Sequence, residues 1–262
     1  APTMIEKKPR ALVLFDGAGL ARLGLTRAGF ECVGVEIDPV KHWLSERLCP
    51  GEVILADVRD INLTGFDAVW ASPPCQAHSE ARTQAAPTGL YSEDLLYWSL
   101  TIKSPILWVE NVPGSLAAIP NWGRVYNAAQ FDPARQSRQR VIGGRHPEPL
   151  TDRPFRRGYE DIPPAIVASE WKGCATDPRR ASRFFGRKIT LAEAAYHQGI
   201  EGVSAWYTVK DPAIAWIRQL YEAIGNGVPV WMSERFGLAS LDPTYRATMI
   251  EGSQIDLFRG SL

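Results

Sequence analysis

The chain has 262 residues, of which 45% are hydrophobic, and its 29 basic and 29 acidic side chains give a formal net charge of zero. This composition is typical of a folded globular protein and excludes an intrinsically disordered one. The zero net charge removes any global attraction to polyanions, although a local basic stripe is enough for phosphate contacts.

The first half of the chain alternates short apolar runs with helical patterns. A helix is predicted over 20–29, with Gly29 as its stop, and a second helix begins after Ser92 as N-cap. The apolar runs predict parallel strands over 11–15, 30–38, 53–57, 67–72 and 106–110.

The second half is less regular. Residues 136–144 alternate polar and apolar side chains, which predicts an antiparallel or edge strand. Prolines and arginines dominate 145–187, and a final helix over 211–227 is predicted to be stopped by Gly225 and Gly227. The sequence therefore predicts an α/β fold, with helices on both faces of a mostly parallel sheet and a small irregular module.

Four cysteines lack both CxxC pairing and a zinc-like spacing with histidine, which indicates free thiols in a reducing cytosol. No apolar run approaches the length of a membrane span, so we expect no membrane contact and a cytoplasmic location.

The turn after the first strand suits a cofactor. Gly17 and Gly19 allow backbone to approach a ligand at the carboxyl edge of the sheet. Glu36 ends the second strand and could bond ribose hydroxyls, and Asp57 ends the third and could accept from an adenine amino group. The missing third glycine disfavours a dinucleotide and leaves an adenosyl cofactor. A tight turn with ordinary strand-end acids is the alternative.

A cysteine follows two prolines just after the fourth strand. Pro73 and Pro74 restrict the backbone and favour a preset position for the Cys75 thiol, as a nucleophile requires. The alternative is an inert buried thiol.

Two polar motifs could serve the same reaction. Glu110 ends the fifth strand and, if protonated, could donate to a ring nitrogen as a general acid. The period of two in Gln136-x-Arg138-x-Arg140 points these side chains to one face, where they could hold the acid, a base carbonyl or phosphate. A helix-entry glutamate and a solvated basic edge are the alternatives.

Five motifs occur in the order and approximate spacing of a known family: DGAG at 16–19, PCQ at 74–76, ENV at 110–112, QSRQR at 136–140 and GNGV at 225–228. In these motifs the chain resembles the cytosine-5 DNA methyltransferase family, in its compact phage or bacterial form. The resemblance implies the Rossmann-like fold of S-adenosylmethionine-dependent methyltransferases, a setting in restriction–modification, and S-adenosylhomocysteine as the product.

The resemblance also implies roles. Cys75 would add to carbon 6 of a flipped cytosine while Glu110 protonates ring nitrogen 3. Arg140 would contact the base carbonyl and orient Glu110, and Arg138 would support Cys75 or a nearby phosphate. The cofactor would be surrounded by Phe15, Gly17, Gly19, Glu36, Asp57, Pro74 and Asn226. The expected contacts to double-stranded DNA come from Gln76, Gln84, Asn111, Gln136 and Arg183, with Arg82 or Gln84 filling the space that the base vacates.

Two departures from the family pattern matter. Asp16 and Val13 stand where many members have alanine and an acidic residue, respectively.

The catalytic domain is expected over 1–143 and 210–262, which leaves only 144–209 for target recognition. Its arginines suit phosphate contacts: Arg153, Arg156, Arg157, Arg179, Arg180 and Arg183. So short a region predicts a recognition site of a few base pairs, read by a monomer.

Two other functions stay open. The context SPPCQ at 72–76 is similar to the branch of the family that methylates transfer RNA. A catalytically inactive subunit that binds DNA is the third reading, although such a protein has no chemical need for Cys75, Glu110 and Arg140 together.

Overall fold

One sheet organises the protein. The computed structural model describes residues 7–75, 92–168, 170, 184–201 and 214–247, and in this part of the chain seven strands pair in the order β3-β2-β1-β4-β5-β7-β6. The strands are β1 (Arg10–Leu14), β2 (Glu31–Glu36), β3 (Glu52–Leu55), β4 (Ala68–Ala71), β5 (Ile106–Asn111), β6 (Gly123–Asn127) and β7 (Gln139–Arg145). Strands β1 to β5 are parallel, and β7 is antiparallel to both of its neighbours. The prediction of a mostly parallel sheet is confirmed.

Strand β7 is antiparallel as predicted, but it does not lie at an edge. Strand β6 covers it, with Tyr126 opposite Arg140 and Asn127 opposite Gln139. The sequence pattern does not predict β6, because its five residues are short of apolar side chains and pair only with β7. An edge location for β7 is therefore wrong, and its side chains are more enclosed than the sequence indicates.

Helices cover both faces of the sheet, as predicted. In the described segments they are α1 (Leu20–Ala28), α2 (Pro39–Leu48), α3 (Ser92–Thr101), α4 (Leu191–His197), α5 (Ile214–Asn226) and α6 (Val230–Leu241). Successive residues of β1 point to opposite faces. Val13 packs with Leu25 of α1 and Phe236 of α6, whereas Leu12 packs with Leu96 of α3.

The helix ends test three of the predicted boundaries. Gly29 adopts a φ of 119° and ends α1, as predicted. Helix α3 begins at Ser92 itself, so this residue is its first helical position rather than its cap. Helix α5 ends at Asn226, between the two predicted stops, so Gly225 lies inside the helix and Gly227 directly follows its end. Gly225 is needed for packing: a Cβ there would lie 2.3 Å from the backbone nitrogen of Ala168.

Parts of the predicted recognition region belong to the main core. Ile166, Ile189 and Leu191 are buried in one cluster with Leu20 of α1 and Leu44 of α2. Among the described residues, no helix combines the length and the apolar character needed to cross a membrane.

Candidate active site at the carboxyl edge of the sheet

The turn after β1 has the backbone conformation that its glycines predict. Gly17 and Gly19 have φ angles of 61° and 82°, in the left-handed region that favours glycine. A Cβ on Gly19 would also approach the Cys49 Sγ to 2.7 Å. Phe15 too has a positive φ, 59°, and its ring meets Trp98 edge-on. The turn is therefore closely packed from below, and the backbone nitrogens of Asp16, Gly17 and Gly19 donate to protein acceptors.

Glu36 fastens this turn to β2. Its carboxylate accepts hydrogen bonds from the backbone nitrogens of Gly17 at 2.7 Å, Ile37 at 3.0 Å and Asp38 at 2.9 Å. The residue is only 6% exposed. Each carboxylate oxygen can accept two hydrogen bonds, so the oxygen bound to Gly17 keeps an acceptor position.

Asp57 lies just after β3 and is held by Arg59. The carboxylate accepts from the backbone nitrogen of Arg59 at 2.9 Å, from its Nε at 3.0 Å and from its Nη2 at 2.6 Å. The side-chain hydrogen bonds of Arg59 lower the pKa of Asp57 to about 2, so this carboxyl stays ionised well below neutral pH.

A buried ion pair supports the turn from behind, and sequence reasoning missed it. Arg22 of α1 is fully buried, and its Nε donates to Asp16 Oδ2 at 3.0 Å. Its other nitrogens donate to the carbonyl oxygens of Ser45 at 3.0 Å and Pro50 at 2.9 Å, and the Ser45 hydroxyl donates to Asp16. Burial raises the pKa of Asp16, and Arg22 opposes that rise. The sequence signal for this ion pair was an arginine, Arg22, among the apolar positions of an amphipathic helix.

The loop that carries Cys75 is tied to β5. Asn111 Nδ2 donates to the Pro73 carbonyl at 3.1 Å, and Asn111 Oδ1 accepts from the Val112 nitrogen at 2.9 Å. Asn111 is only 2% exposed. Both ends of its amide hold the loop in this conformation, and the predicted contact of Asn111 with substrate stays a prediction.

Glu110 and Arg140 form an ion pair between neighbouring strands. Arg140 Nε lies 2.7 Å from Glu110 Oε1, and their side chains are 11% and 9% exposed. A second guanidinium nitrogen of Arg140 donates to the Gln139 carbonyl at 2.8 Å. The structure thus brings together a carboxyl and a guanidinium that sequence analysis assigned to one reaction.

The other two members of the QxRxR motif are structural in this conformation. Arg138 is 4% exposed and donates to the carbonyl oxygens of Gly225, at 2.7 Å, and Ile166. Gln136 has no exposed surface; it donates to the Gln198 side chain at 2.9 Å and accepts from the Ile166 nitrogen at 3.0 Å. Both side chains are held by protein groups in this conformation, so a phosphate contact by Arg138 and a substrate contact by Gln136 stay predictions. Arg138 lies close enough to lower the pKa of the Cys75 thiol, which agrees with the predicted support of Cys75. A solvated basic edge is excluded for these buried residues.

The environment of Cys75 sets the state of its thiol. Burial raises the pKa of Cys75, Arg140 lowers it, Glu110 raises it and Arg138 lowers it by a smaller amount. The two guanidinium groups are thus close enough to stabilise a thiolate, while the half-buried position keeps the thiol protonated at rest.

The remaining predicted site residues divide into two groups. Pro74 is half-buried beside Cys75, and Asn226 is exposed at the end of α5. The others lie outside the described residues: Gln76, Arg82, Gln84 and Arg183.

Comparisons with known proteins find similarity over part of the chain. Residues 10–118 match the family model described as C-5 cytosine-specific DNA methylase. Type II methyltransferase M.FnuDI from Fusobacterium nucleatum is 33% identical over 115 residues, 41% of this chain and 33% of that protein. The probable nitrate/nitrite transporter NarK2 from Mycobacterium tuberculosis is 29% identical over 131 residues, 48% of this chain and 33% of the transporter. The chain spans about a third of the length of these curated relatives.

The fold is found in solved methyltransferases. The S. pombe Dnmt2 methyltransferase matches with a TM-score of 0.57 at 15% identity, over 90% of this chain and 99% of that chain. The sheet described above therefore has the α/β fold of this methyltransferase, and the predicted Rossmann-like arrangement is confirmed.

Proposed function

We propose, since residues 10–118 belong to the C-5 cytosine-specific DNA methylase family, that the protein methylates carbon 5 of cytosine in duplex DNA through a covalent bond to Cys75. The family implies S-adenosylmethionine as the methyl donor. The observation that carries the proposal is the union of three groups at one edge of the sheet: the Cys75 thiol on its proline-stiffened loop, the Glu110 carboxyl and the Arg140 guanidinium.

The thiol would begin the reaction. Carbon 5 of cytosine is a poor nucleophile, so the ring has to gain electron density before it can accept a methyl group. The Cys75 thiol first gives its proton to solvent, the thiolate Sγ then forms a bond to carbon 6, and the electron pair of the 5,6 double bond moves into the ring. The asparagine amide that holds Pro73 keeps the sulfur in a fixed place, which reduces the entropy lost on reaching the reactive geometry.

Glu110 and Arg140 would control the transfer of a proton to ring nitrogen 3. The Glu110 carboxyl gives its proton to ring nitrogen 3 as the sulfur adds, which makes carbon 5 an enamine carbon and hence nucleophilic. Arg140 holds one carboxyl oxygen at 2.7 Å and thereby leaves the other to face the ring. As Glu110 becomes a carboxylate, this ion pair stabilises the charge that develops.

The turn residues fit an adenosyl cofactor, which supplies an electrophilic methyl group when bound. Glu36 keeps an acceptor position for a ribose hydroxyl, and Asp57 is an ionised acceptor for an adenine amino group. Phe15, Gly17, Gly19, Pro74 and Asn226 would complete the enclosure. Both acids follow neighbouring strands of one parallel sheet, as nucleotide sites of this fold require.

The last steps of the reaction would release Cys75 from the base and return the proton to Glu110. After methylation the proton on carbon 5 passes to water or another base, the Sγ–carbon 6 bond breaks, and its electron pair returns to sulfur as the 5,6 double bond reforms. Nitrogen 3 returns its proton to Glu110. The target base has to leave the duplex first, because its ring atoms are shielded within the stack. Residues 144–209 would form the recognition region, with the catalytic domain over 1–143 and 210–262.

Transfer of labelled methyl from S-adenosylmethionine to duplex DNA tests the proposal. We expect Cys75→Ala to abolish transfer while S-adenosylhomocysteine affinity stays unchanged. Duplex DNA containing 5-fluorocytosine should form a denaturation-resistant adduct with the wild type and none with Cys75→Ala. Cys32→Ala, at a buried thiol in the core, is the control that keeps the adduct. An adduct formed by Cys75→Ala would refute the covalent role of Cys75.

A second substrate is favoured by one observation, the sequence Ser72–Pro73–Pro74–Cys75, which is similar to transfer-RNA methylating relatives. The same chemistry would then act on transfer RNA. Parallel assays with duplex DNA and transfer RNA separate the two, since each predicts labelled product on only one substrate. An inactive DNA-binding subunit would label neither and would form no adduct with 5-fluorocytosine.

A further inference from the structure

One buried peptide of the predicted recognition region is held on both sides by the QxRxR motif. The nitrogen of Ile166 donates to Gln136 Oε1 at 3.0 Å, and its carbonyl accepts from a terminal guanidinium nitrogen of Arg138. The Ile166 side chain has no exposed surface. The period of two in the motif thus brings both side chains to the same peptide, whose two polar groups they satisfy.

Backbone contacts enclose the stretch around this peptide. Ser137 donates its nitrogen to the Pro163 carbonyl at 2.7 Å, so the motif and the stretch lie side by side. At the far end of the stretch, a Cβ on Gly225 would lie 2.3 Å from the Ala168 nitrogen. We call residues 163–168 the clamped segment, because it is enclosed between two parts of the predicted catalytic domain.

The amide of Gln136 has a fixed orientation. Its nitrogen donates to the Gln198 side-chain oxygen at 2.9 Å and to the His197 carbonyl. The Gln198 amide is in turn oriented by the Ile224 carbonyl, to which its nitrogen donates at 2.5 Å. Because these two acceptors require the NH₂ group of Gln136, its oxygen faces the Ile166 nitrogen.

Arg138 connects the clamped segment to the reactive thiol. A second terminal nitrogen of Arg138 donates to the Gly225 carbonyl at 2.7 Å, and its buried Nε has no hydrogen-bond partner among the residues that the structure describes. Burial and Arg140 lower the pKa of Arg138, whereas Glu110 and Cys75 raise it. The cation and the sulfur therefore stabilise each other's charged form, and carbonyl oxygens fix where the cation lies.

We propose that Gln136 is a positioning residue, which holds the Ile166 peptide so that Arg138 keeps its guanidinium near the sulfur of Cys75. This inference rests on the proposed function, in which the Cys75 thiolate attacks the base. Gln136 acts through Arg138 in this role and needs no contact with the reacting atoms. The recognition region then supplies, through one peptide, part of the geometry on which the reactivity of the thiol depends.

Alkylation of Cys75 gives a test that needs neither nucleic acid nor cofactor. Short pulses of iodoacetamide are applied between about pH 6 and 11, and mass spectrometry follows modification of the Cys75 peptide; the thiolate is the reactive form, so the midpoint of the rate profile reports the thiol pKa. We expect Q136M to raise this midpoint by about 0.5–1 pH unit, because a nearby cation that favours the thiolate is no longer held in place.

The same change should appear in the proposed reaction. A shift of about 0.5–1 pH unit lowers the thiolate fraction at neutral pH by about three- to tenfold, so single-turnover methyl transfer should slow by about that factor. The KM for S-adenosylmethionine and the affinity for S-adenosylhomocysteine should not change, because the clamped segment does not contact the turn after β1.

Two comparisons separate positioning from a structural role. R138M removes the cation and should raise the midpoint at least as far as Q136M. The double variant Q136M/R138M should match R138M alone, because Gln136 acts through Arg138. Q139M is the matched control: this neighbouring glutamine binds the Arg157 carbonyl instead, and the midpoint should stay at the wild-type value. Buried Cys32 should remain unmodified in every variant, which shows that the chain is folded.

Three outcomes would overturn the inference: a wild-type midpoint in Q136M, shifts that add in the double variant, or an equal shift in Q139M. If modification of Cys32 shows that Q136M is unfolded, Q136N, which keeps the amide on a shorter side chain, takes its place under the same three criteria.

The two proposals fail separately. If the wild type methylates duplex DNA and Q136M keeps the wild-type midpoint, the proposed function stands and the positioning role of Gln136 falls. If Q136M shifts the midpoint but the wild type methylates no nucleic acid, Gln136 still sets the reactivity of Cys75 and the proposed function falls.

Discussion

The two halves of the carboxyl edge use opposite chemistry. After β1, β2 and β3 the edge is built from carboxylates that accept hydrogen bonds from backbone nitrogens and arginines, namely Asp16, Glu36 and Asp57. Near β5 and β7 it is built from amides and guanidinium groups that donate to carbonyls and a carboxylate, namely Asn111, Gln136, Arg138, Gln139 and Arg140.

This contrast indicates what each half can hold. Acceptors with spare lone pairs suit a ligand rich in hydroxyl and amino donors and carrying positive charge, as a sulfonium cofactor does. Donors and cations suit a thiolate, a carbonyl oxygen and a polyanion. Under the proposed function the acidic half would hold the methyl donor and the basic half the nucleic acid, so variants in each half should impair different measurements.

Glu110→Gln should give the largest effect, because glutamine can neither give nor take the nitrogen 3 proton. General acid catalysis typically contributes 10²–10⁴-fold, so we expect a loss of about that size in single-turnover methyl transfer. S-adenosylhomocysteine affinity, measured by calorimetry, should be unchanged. The exposed Glu52→Gln serves as the control. Loss of S-adenosylhomocysteine affinity in Glu110→Gln would contradict the assignment of the cofactor to the acidic half alone.

Arg22→Met should destabilise the acidic half, because it leaves the buried Asp16 carboxyl without its cation. Breaking a buried ion pair costs about 3–5 kcal/mol of unfolding free energy, which urea denaturation measures. Arg27→Met, at an exposed position of the same helix, should cost much less. Equal losses in the two variants would mean that the Asp16–Arg22 pair does not hold the turn.

Gly225→Ala tests the contact between the basic half and the recognition region. The added Cβ would meet the Ala168 backbone at 2.3 Å and press on the segment that Arg138 binds. We expect a loss of about 1–3 kcal/mol in unfolding free energy, as overpacking typically costs. Gly158→Ala has open space around its Cβ and is the matched control. If both variants are equally stable, the close approach at Gly225 is not maintained.

Arg59→Gln should give the smallest effect, and only in acid. Arg59 holds the pKa of Asp57 at about 2, whereas an unperturbed aspartate has a value of about 3.9. The backbone hydrogen bond from residue 59 stays in the variant, so the pKa of Asp57 should rise only part of the way, and its ionised fraction at pH 4 should drop by less than about twofold. S-adenosylhomocysteine affinity should therefore decline between pH 6 and 4 in the variant and stay level in the wild type. A parallel decline in both would exclude Asp57 as an ionised contact.

Local patterns predicted the parts of the fold that depend on neighbouring residues. The continuous apolar run of β1 and the glycine after α1 specify a buried strand and a helix stop, and both are found. Strand β6 escaped prediction because it is defined by pairing with β7 rather than by its own side chains. The contacts of Gln136 with Gln198 and of Arg138 with Gly225 were not predicted, because a motif records which residues occur and not which groups surround them.

The sequence by itself determined the chemical inventory: a proline-stiffened cysteine, a strand-end glutamate, and glycines and acids where a parallel sheet ends. Each of these follows from residue type and spacing within a few positions. Only the tertiary structure decided which polar groups stay available and which are consumed by the fold. Arg22 and Arg138 are buried against carbonyls brought from distant segments, while Arg156 and Arg157 remain exposed. Burial depends on contacts across the chain, and spacing along it does not record them.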